Sequence, residues 1–187
     1  MSTDEFIEQF NKVYPDAERF DGATDEMIKA YEKELGYQLP CSFVEFLKKF
    51  SNGIFLLDCE PIGGVSTDSP CGDICKVERI LPDIPKEVVI LETEENIEST
   101  RLVSYTMFDA GETSNNHWVF LCEDDIPNNE YRVGFISQTS NKMVKLLDNF
   151  EEWLTIFWMN DDEEEPGNPV FYSLYPEYDE RIAILDA

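Results

Sequence analysis

Residues 23–55 read ATDEMIKAYEKELGYQLPCSFVEFLKKFSNGIF, a pattern of helix, break, helix, stop and strand. Thr24 stands where an N-cap belongs, and Asp25 and Glu26 add negative charge to the first turn, where the helix dipole favours it. Ile28, Tyr31 and Leu35 recur at helical spacing and make one face apolar. Gly36 falls where a left-handed C-cap wants a residue without a Cβ. Leu39-Pro40 bars continuation, because proline disfavours the α conformation in the residue before it. Pro40 can then open a second helix, where its missing N–H costs nothing. Phe43, Phe46, Leu47 and Phe50 form an i, i+3, i+4, i+7 stripe. Asn52-Gly53 ends that helix, and Ile54 to Leu57 reads as the first buried strand. The stretch is therefore an αα-hairpin feeding a sheet, with its apolar residues in the core. It holds no nucleophile–base pair and no ligand cluster.

Upstream, Thr3 to Tyr14 predicts a helix with Phe6, Ile7, Phe10 and Val13 on one face, ended by Pro15. Downstream, Asp58 to Pro85 is rich in Gly, Pro, Asp and Ser. A short helix is expected there from Asp73 to about Leu81, N-capped by Asp73. Val88 to Leu91 is a β-branched run, and Thr93 to Ser99 is one helical turn or a loop. Leu102 to Phe108 and Tyr131 to Ile136 read as strands. Trp118 to Cys122 is continuously apolar, as a strand buried on both faces would be. The turn-forming residues Asp109 to Asn116 let the first of these strands pair with it as a hairpin. A last helix is expected from about Asn149 to Met159, with Asp148 and Glu151 at capping-box spacing and Phe150, Trp153, Leu154 and Phe157 on its buried stripe. The acidic run Asp161–Glu165 and Pro166-Gly167 then separate a tail. The expectation is an α+β fold, a mostly antiparallel sheet packed against helices, with Phe43, Phe46, Leu47, Trp118, Phe120, Trp153 and Phe157 in one core. Residues 1–160 make the domain, and residues 161–187 are an extension packed on it.

A chain of 187 residues buries about 70% of its unfolded surface as one domain. Its charge is unusual: 40 acidic against 14 basic residues give a net charge of −26. Residues 1–91 hold 18 acids and 9 bases, and residues 92–187 hold 22 acids and 5 bases. Such a surface repels nucleic acid and anionic membrane and attracts basic partners, although acidity also serves solubility alone. Nucleic-acid binding needs clustered Lys and Arg, and the longest basic run is Lys48-Lys49. The N-terminus lacks a signal-peptide pattern, and no apolar run is long enough to span a membrane. The five cysteines, Cys41, Cys59, Cys71, Cys75 and Cys122, then read as reduced thiols of a cytoplasmic protein.

Catalytic patterns are not found. His117 is the single histidine and reads as a turn-edge residue before a strand. Cys71 and Cys75 lack zinc-site spacing, with no second pair to complete four ligands. There is no nucleophile elbow and no phosphate loop. Neither an enzyme activity nor a metal or other cofactor is expected.

The pattern Ile28, Tyr31-Glu32, Leu35-Gly36, Leu39-Pro40, Phe43, Phe46-Leu47 and Asn52-Gly53 resembles the signature of the SUKH superfamily, and the resemblance spans residues 23–160. That superfamily includes a fungal regulator of cell-wall glucan synthesis and many bacterial immunity proteins of polymorphic toxin systems. The resemblance gives Gly36, Leu39, Pro40, Phe43, Phe46, Leu47, Gly53 and Trp153 structural roles. It implies either an immunity protein that neutralises a cognate toxin domain or a regulatory, scaffold-type interaction module. The negative charge suits a basic nuclease toxin as partner. The carboxylates expected to meet it are Asp109 and Glu112 in one sheet loop, then Glu123, Asp124 and Asp125 after the central strand. The Asp161–Glu165 run ranks below them.

Overall fold

The computed structural model of the protein describes residues 1–56, 60–65, 78–79, 86–106, 116–137 and 142–158. Helix α1 (Thr3–Val13) starts on a capping box: Ser2 Oγ accepts the Glu5 N–H at 3.2 Å, and Glu5 Oε2 accepts the Ser2 N–H at 2.7 Å. Phe6 and Phe10 are buried, whereas Val13, expected on the same face, is exposed. Helix α2 (Asp25–Leu35) is capped by Thr24 and ends on Gly36 at φ 82°, the left-handed conformation its position requires.

Helix α3 (Cys41–Lys49) comes directly after Pro40, which offers no side-chain cap. The cap comes from far along the chain. Glu130 accepts the Ser42 N–H at 2.7 Å and the Ser42 hydroxyl at 2.6 Å. Phe43, Phe46 and Leu47 are fully buried. Past the helix, Ser51 and Asn52 are buried polar residues with defined work. The Ser51 hydroxyl donates to the Gly53 carbonyl and accepts the Phe20 N–H, and Asn52 Oδ1 accepts the Val65 N–H. Gly53 turns the chain at φ 83°.

Strand β1 (Ile54–Leu56) pairs antiparallel with β2 (Glu60–Ile62) in a two-stranded sheet. Phe55 is 42% exposed, so β1 is buried on one face only. The main sheet contains β3 (Glu78–Arg79), β4 (Glu87–Ile90), β5 (Glu95–Glu98), β6 (Leu102–Ser104), β7 (Asn116–Leu121), β8 (Val133–Ser137) and β9 (Lys142–Leu147), in the order β3-β6-β7-β8-β9-β4-β5. All neighbours are antiparallel except β9 and β4. Helix α4 (Phe150–Trp158) closes the described chain. The fold is α+β, with helices packed on a curled, mostly antiparallel sheet.

The period-two alternation of β7 divides the interior. Trp118, Phe120 and Cys122 join the core with α1, α3 and α4, while Val119 and Leu121 join a second cluster with Val88, Ile90, Ile97, Leu102, Ile136 and Met143. Both faces of this strand are buried, as its continuous apolar run implies. Ile97 on the last strand of the sheet order shares a cluster with residues of β7, so the sheet curls over its second face. All seven residues expected in one core belong to the helix-side cluster.

Four local expectations change. Glu78–Arg79, within the helix expected over Asp73–Leu81, is a strand paired with β6; the rest of that span lies outside the described residues. Glu95–Glu98 is a strand, because Ile97 is drawn into the second core. His117 lies inside β7 rather than before it. The cap of α4 is Asn149, whose Oδ1 accepts the Glu152 N–H while Glu152 accepts the Asp148 N–H, one residue later than the Asp148–Glu151 spacing suggests.

Candidate functional site

Three loops meet at one end of the sheet: the α2–α3 connection (residues 36–40), the short 3-10 turn Ser99–Arg101, and residues 122–132 between β7 and β8. The Tyr37 hydroxyl donates to the Thr100 carbonyl at 3.1 Å, and Asn129 donates to Gln38 at 3.3 Å. Glu32 accepts the Leu39 N–H at 2.8 Å, which shapes the turn before α3. The Cys122 N–H donates to the Arg101 carbonyl at 2.8 Å. Beneath them, Leu39 and Tyr131 are buried. Burial first, then the neighbouring Cys122 and carboxylates, pushes the Tyr131 phenol up to about 12.

The loop after β7 is conformationally costly. Asp125, Asn128 and Asn129 all hold positive φ, at 60°, 55° and 53°. Asn and Asp tolerate that region better than other residues with a Cβ, yet three within five positions persist only when their surroundings hold them. The Asn129–Gln38 and Glu130–Ser42 bonds are two of those restraints.

The carboxylates assigned to partner binding divide by environment. Glu123 is half-buried and bidentate on Arg132, at 2.6 and 3.0 Å. Arg132 also reaches Glu95 on β5 at 3.0 Å, so one guanidinium ties the edge strand to the β7–β8 loop. These bonds, first that to Glu123, hold Arg132 charged more firmly than a free arginine. Asp124 meets Arg101 at 2.9 Å but keeps 80% of its side chain exposed. Asp125 is exposed and makes no ion pair among the described residues. Asp109, Glu112 and Asp161–Glu165 lie outside the described residues. Gly36, Leu39, Pro40, Phe43, Phe46 and Leu47 form the hairpin beside the loops, and Gly53 and Trp153 lie in the frame beneath.

Sequence reading missed Arg101, Arg132, Glu95 and Glu130. A signal for the arginines existed: residues 92–187 hold only 5 bases against 22 acids, and scarce cations among so many anions are drawn into internal pairs.

A shallow groove of about 390 Å³, lined by Lys29, Glu32, Lys33, Gly36, Tyr37 and Gln38, adjoins the loops. It is open and of mixed charge. The nearby Cys41 thiol is pushed up by burial first and then by Glu130, Glu45 and Glu32, the opposite of an activated nucleophile. Among the described residues no group of three or more His, Cys, Asp or Glu side chains is placed to hold a metal ion. No described helix is long and apolar enough to cross a membrane. The arrangement is a rigid, charged loop surface on a sheet, a common setting for binding residues.

No curated protein and no solved structure matches this chain. A model of the SMI1 / KNR4 family (SUKH-1) matches residues 22–156, from the glycine that crosses the end of α3 into the last helix. That span carries the hairpin, the sheet and the loop cluster together, and the chain belongs to the SMI1 / KNR4 family (SUKH-1).

Proposed function

We propose that this protein is a non-enzymatic immunity protein that binds and blocks a basic toxin domain, of the nuclease kind, from a bacterial polymorphic toxin system. The observation that carries the reading is a net charge of −26 on a 187-residue chain that belongs to the SUKH-1 family. A nuclease surface is basic because its substrate is anionic. An acidic binder can cover its active site or occupy its substrate groove as a phosphate-like surface. Asp124 and Asp125 present exposed carboxylates on a loop held by Arg101, Gln38 and Ser42. Glu123 plays a different part: clamped by Arg132, it holds the loop in shape.

Rim charges act chiefly on association, so the test is kinetic. Binding to the toxin domain encoded beside this gene is measured at several salt concentrations, for the native chain and for Asp124→Lys/Asp125→Lys. Association should be fast at low salt, up to about 10⁸ M⁻¹s⁻¹. It should slow as the Debye length falls from about 30 Å at 0.01 M to about 8 Å at physiological ionic strength. The double reversal should lower both the rate and its salt slope. Glu123 is left intact, because its reversal would set Lys against Arg132 and disturb the fold. No binding, or a rate indifferent to salt and to the reversal, would transfer support to a regulatory or scaffold module with another partner.

A further inference from the structure

Among the described residues the main sheet ends on β5, which is hydrogen-bonded there on one side only. The Ser99 N–H donates to the Lys86 carbonyl at 2.9 Å, and the register pairs Glu87 with Glu98, Val88 with Ile97 and Ile90 with Glu95. Antiparallel pairs alternate, so Glu95 and Ile97 exchange backbone bonds with β4, and the N–H and C=O groups of Asn96 and Glu98 point off the edge of the sheet. Among the described residues nothing bonds those outward groups, and Asn96 and Glu98 are exposed. This is an open template for another strand.

The charges on the edge select the occupant. Glu87 and Glu98 are direct cross-strand neighbours, a like-charge pair that repels. Glu94 and Glu95 stand just before Glu98 in the chain, and of these only Glu95 has an arginine partner among the described residues. A second copy of β5 would bring glutamates against glutamates and is repelled. A strand carrying Lys or Arg opposite Glu98 would set a cation about 5 Å from Glu98, on the side away from Glu87, and offset the repulsion that Glu98 meets on β4. Its next residue, opposite the buried Ile97, would face the second core and be apolar.

We infer that the free edge of β5 takes an extended basic segment of the protein partner as an added strand, with alternating basic and apolar residues. The inference deepens the proposed binding role and takes from it only the basic character of the partner. Main-chain bonds supply the affinity in such strand addition, and alternate side chains supply the specificity.

The probe is a blocked peptide of about eight residues alternating lysine and valine, added to the full chain. Binding is read by fluorescence anisotropy and by amide hydrogen exchange. The peptide should bind and slow exchange at Asn96 and Glu98. The same peptide N-methylated along its bonding edge, equal in charge, should bind at least about tenfold more weakly, equivalent to ~1.4 kcal/mol. Asn96→Pro removes one outward N–H and leaves the β4 ladder intact, as edge prolines do, and should lose a similar factor. Glu87→Lys/Glu98→Lys should exchange the preference for a glutamate–valine peptide, a result that stands even where Asn96→Pro melts early. Absent binding, equal binding of the N-methylated peptide, or protection confined to residues other than Asn96 and Glu98 would overturn the inference. If no toxin domain binds the chain while the peptide still seats on β5, the toxin reading falls and the edge site stands. If the toxin domain binds but the peptide gives no protection, the edge site alone falls.

Discussion

Phe43→Ala should remove a ring that ties helix α3 to its neighbours in the helix-side core. Phe43 is fully buried, and its ring lies 5.0 Å from Phe150, 5.1 Å from Phe120, 5.8 Å from Tyr105 and 6.3 Å from Phe46. Those contacts join α3 to α4, to the central strand β7 and to Tyr105 just past β6. A buried Phe→Ala change costs about 3–5 kcal/mol, transfer and cavity together. Natural domains hold only about 5–15 kcal/mol in total, so the variant loses a large share of its stability. With a urea dependence near ~2 kcal/mol per molar, the unfolding midpoint should fall by about 1.5–2.5 M at unchanged slope. Phe55→Ala is the comparison. Phe55 is 42% exposed, so its loss should cost only about 1 kcal/mol and shift the midpoint by about 0.5 M. Combining Phe43→Ala with Phe150→Ala should show a coupling of about 0.5–3 kcal/mol, because the two rings share one cavity. Equal midpoint shifts for Phe43→Ala and Phe55→Ala, at equal slopes, would refute the reasoning that these rings form the structural centre.

Gly22→Ala should destabilise the chain although it adds one methyl group. A Cβ at Gly22 would lie 2.1 Å from the Lys48 carbonyl oxygen, a backbone atom at the end of α3 with no rotamer to escape into; a thermal melt unchanged from the native chain would contradict this. Acid should weaken the fold through the exposed carboxylates that are bonded in the native state. Glu95 is held below its ordinary value of 4.5, first by the Arg132 hydrogen bond and then by Thr93. A lowered folded pKa contributes stability above the unfolded value that is lost as pH falls through the folded one. Urea midpoints from pH 6 down to pH 3 should therefore fall below about pH 4.5, and Glu95→Gln should flatten part of that fall; a native-like slope in the variant would exclude Glu95 as a contributor.

The helices were legible because their information is local. Phe43, Phe46 and Leu47 announce a buried stripe within two turns, and the Leu39-Pro40 break three residues past Gly36 announces a left-handed cap at that glycine. The central strand was legible for a related reason: Trp118 to Cys122 has no polar face to give to solvent, so both faces must be covered, and two separate clusters cover them. The short strands were not. Glu78–Arg79 and Glu95–Glu98 carry no alternation strong enough to mark them, and each becomes a strand by bonding to a partner well removed in sequence or by one buried isoleucine. The bulge where Phe135 and Ile136 face Lys145 and Met143 is equally silent, since it shows only when the two strands are aligned.

The candidate site was half legible, and the missing half is geometry. Counting charge shows that carboxylates outnumber cations in the second half of the chain, but it does not show which of them are committed. Glu123, Asp124 and Asp125 are consecutive in sequence and differ sharply in space: one clamped by Arg132, one touching Arg101 yet largely exposed, one exposed at positive φ. A basic partner of the kind proposed would meet the exposed ones and leave the clamp undisturbed. Arg132 adds a physical link between the two acidic surfaces, because the same guanidinium holds Glu123 of the loop and Glu95 of the open edge strand. Removing that arginine would free two carboxylates and also loosen the strand that presents them. Arg132→Met should therefore weaken partner binding even as it makes the protein more negative, the reverse of what net charge alone predicts. Tighter binding by that variant would show that bulk charge, and not the held geometry of the loop and edge, governs recognition.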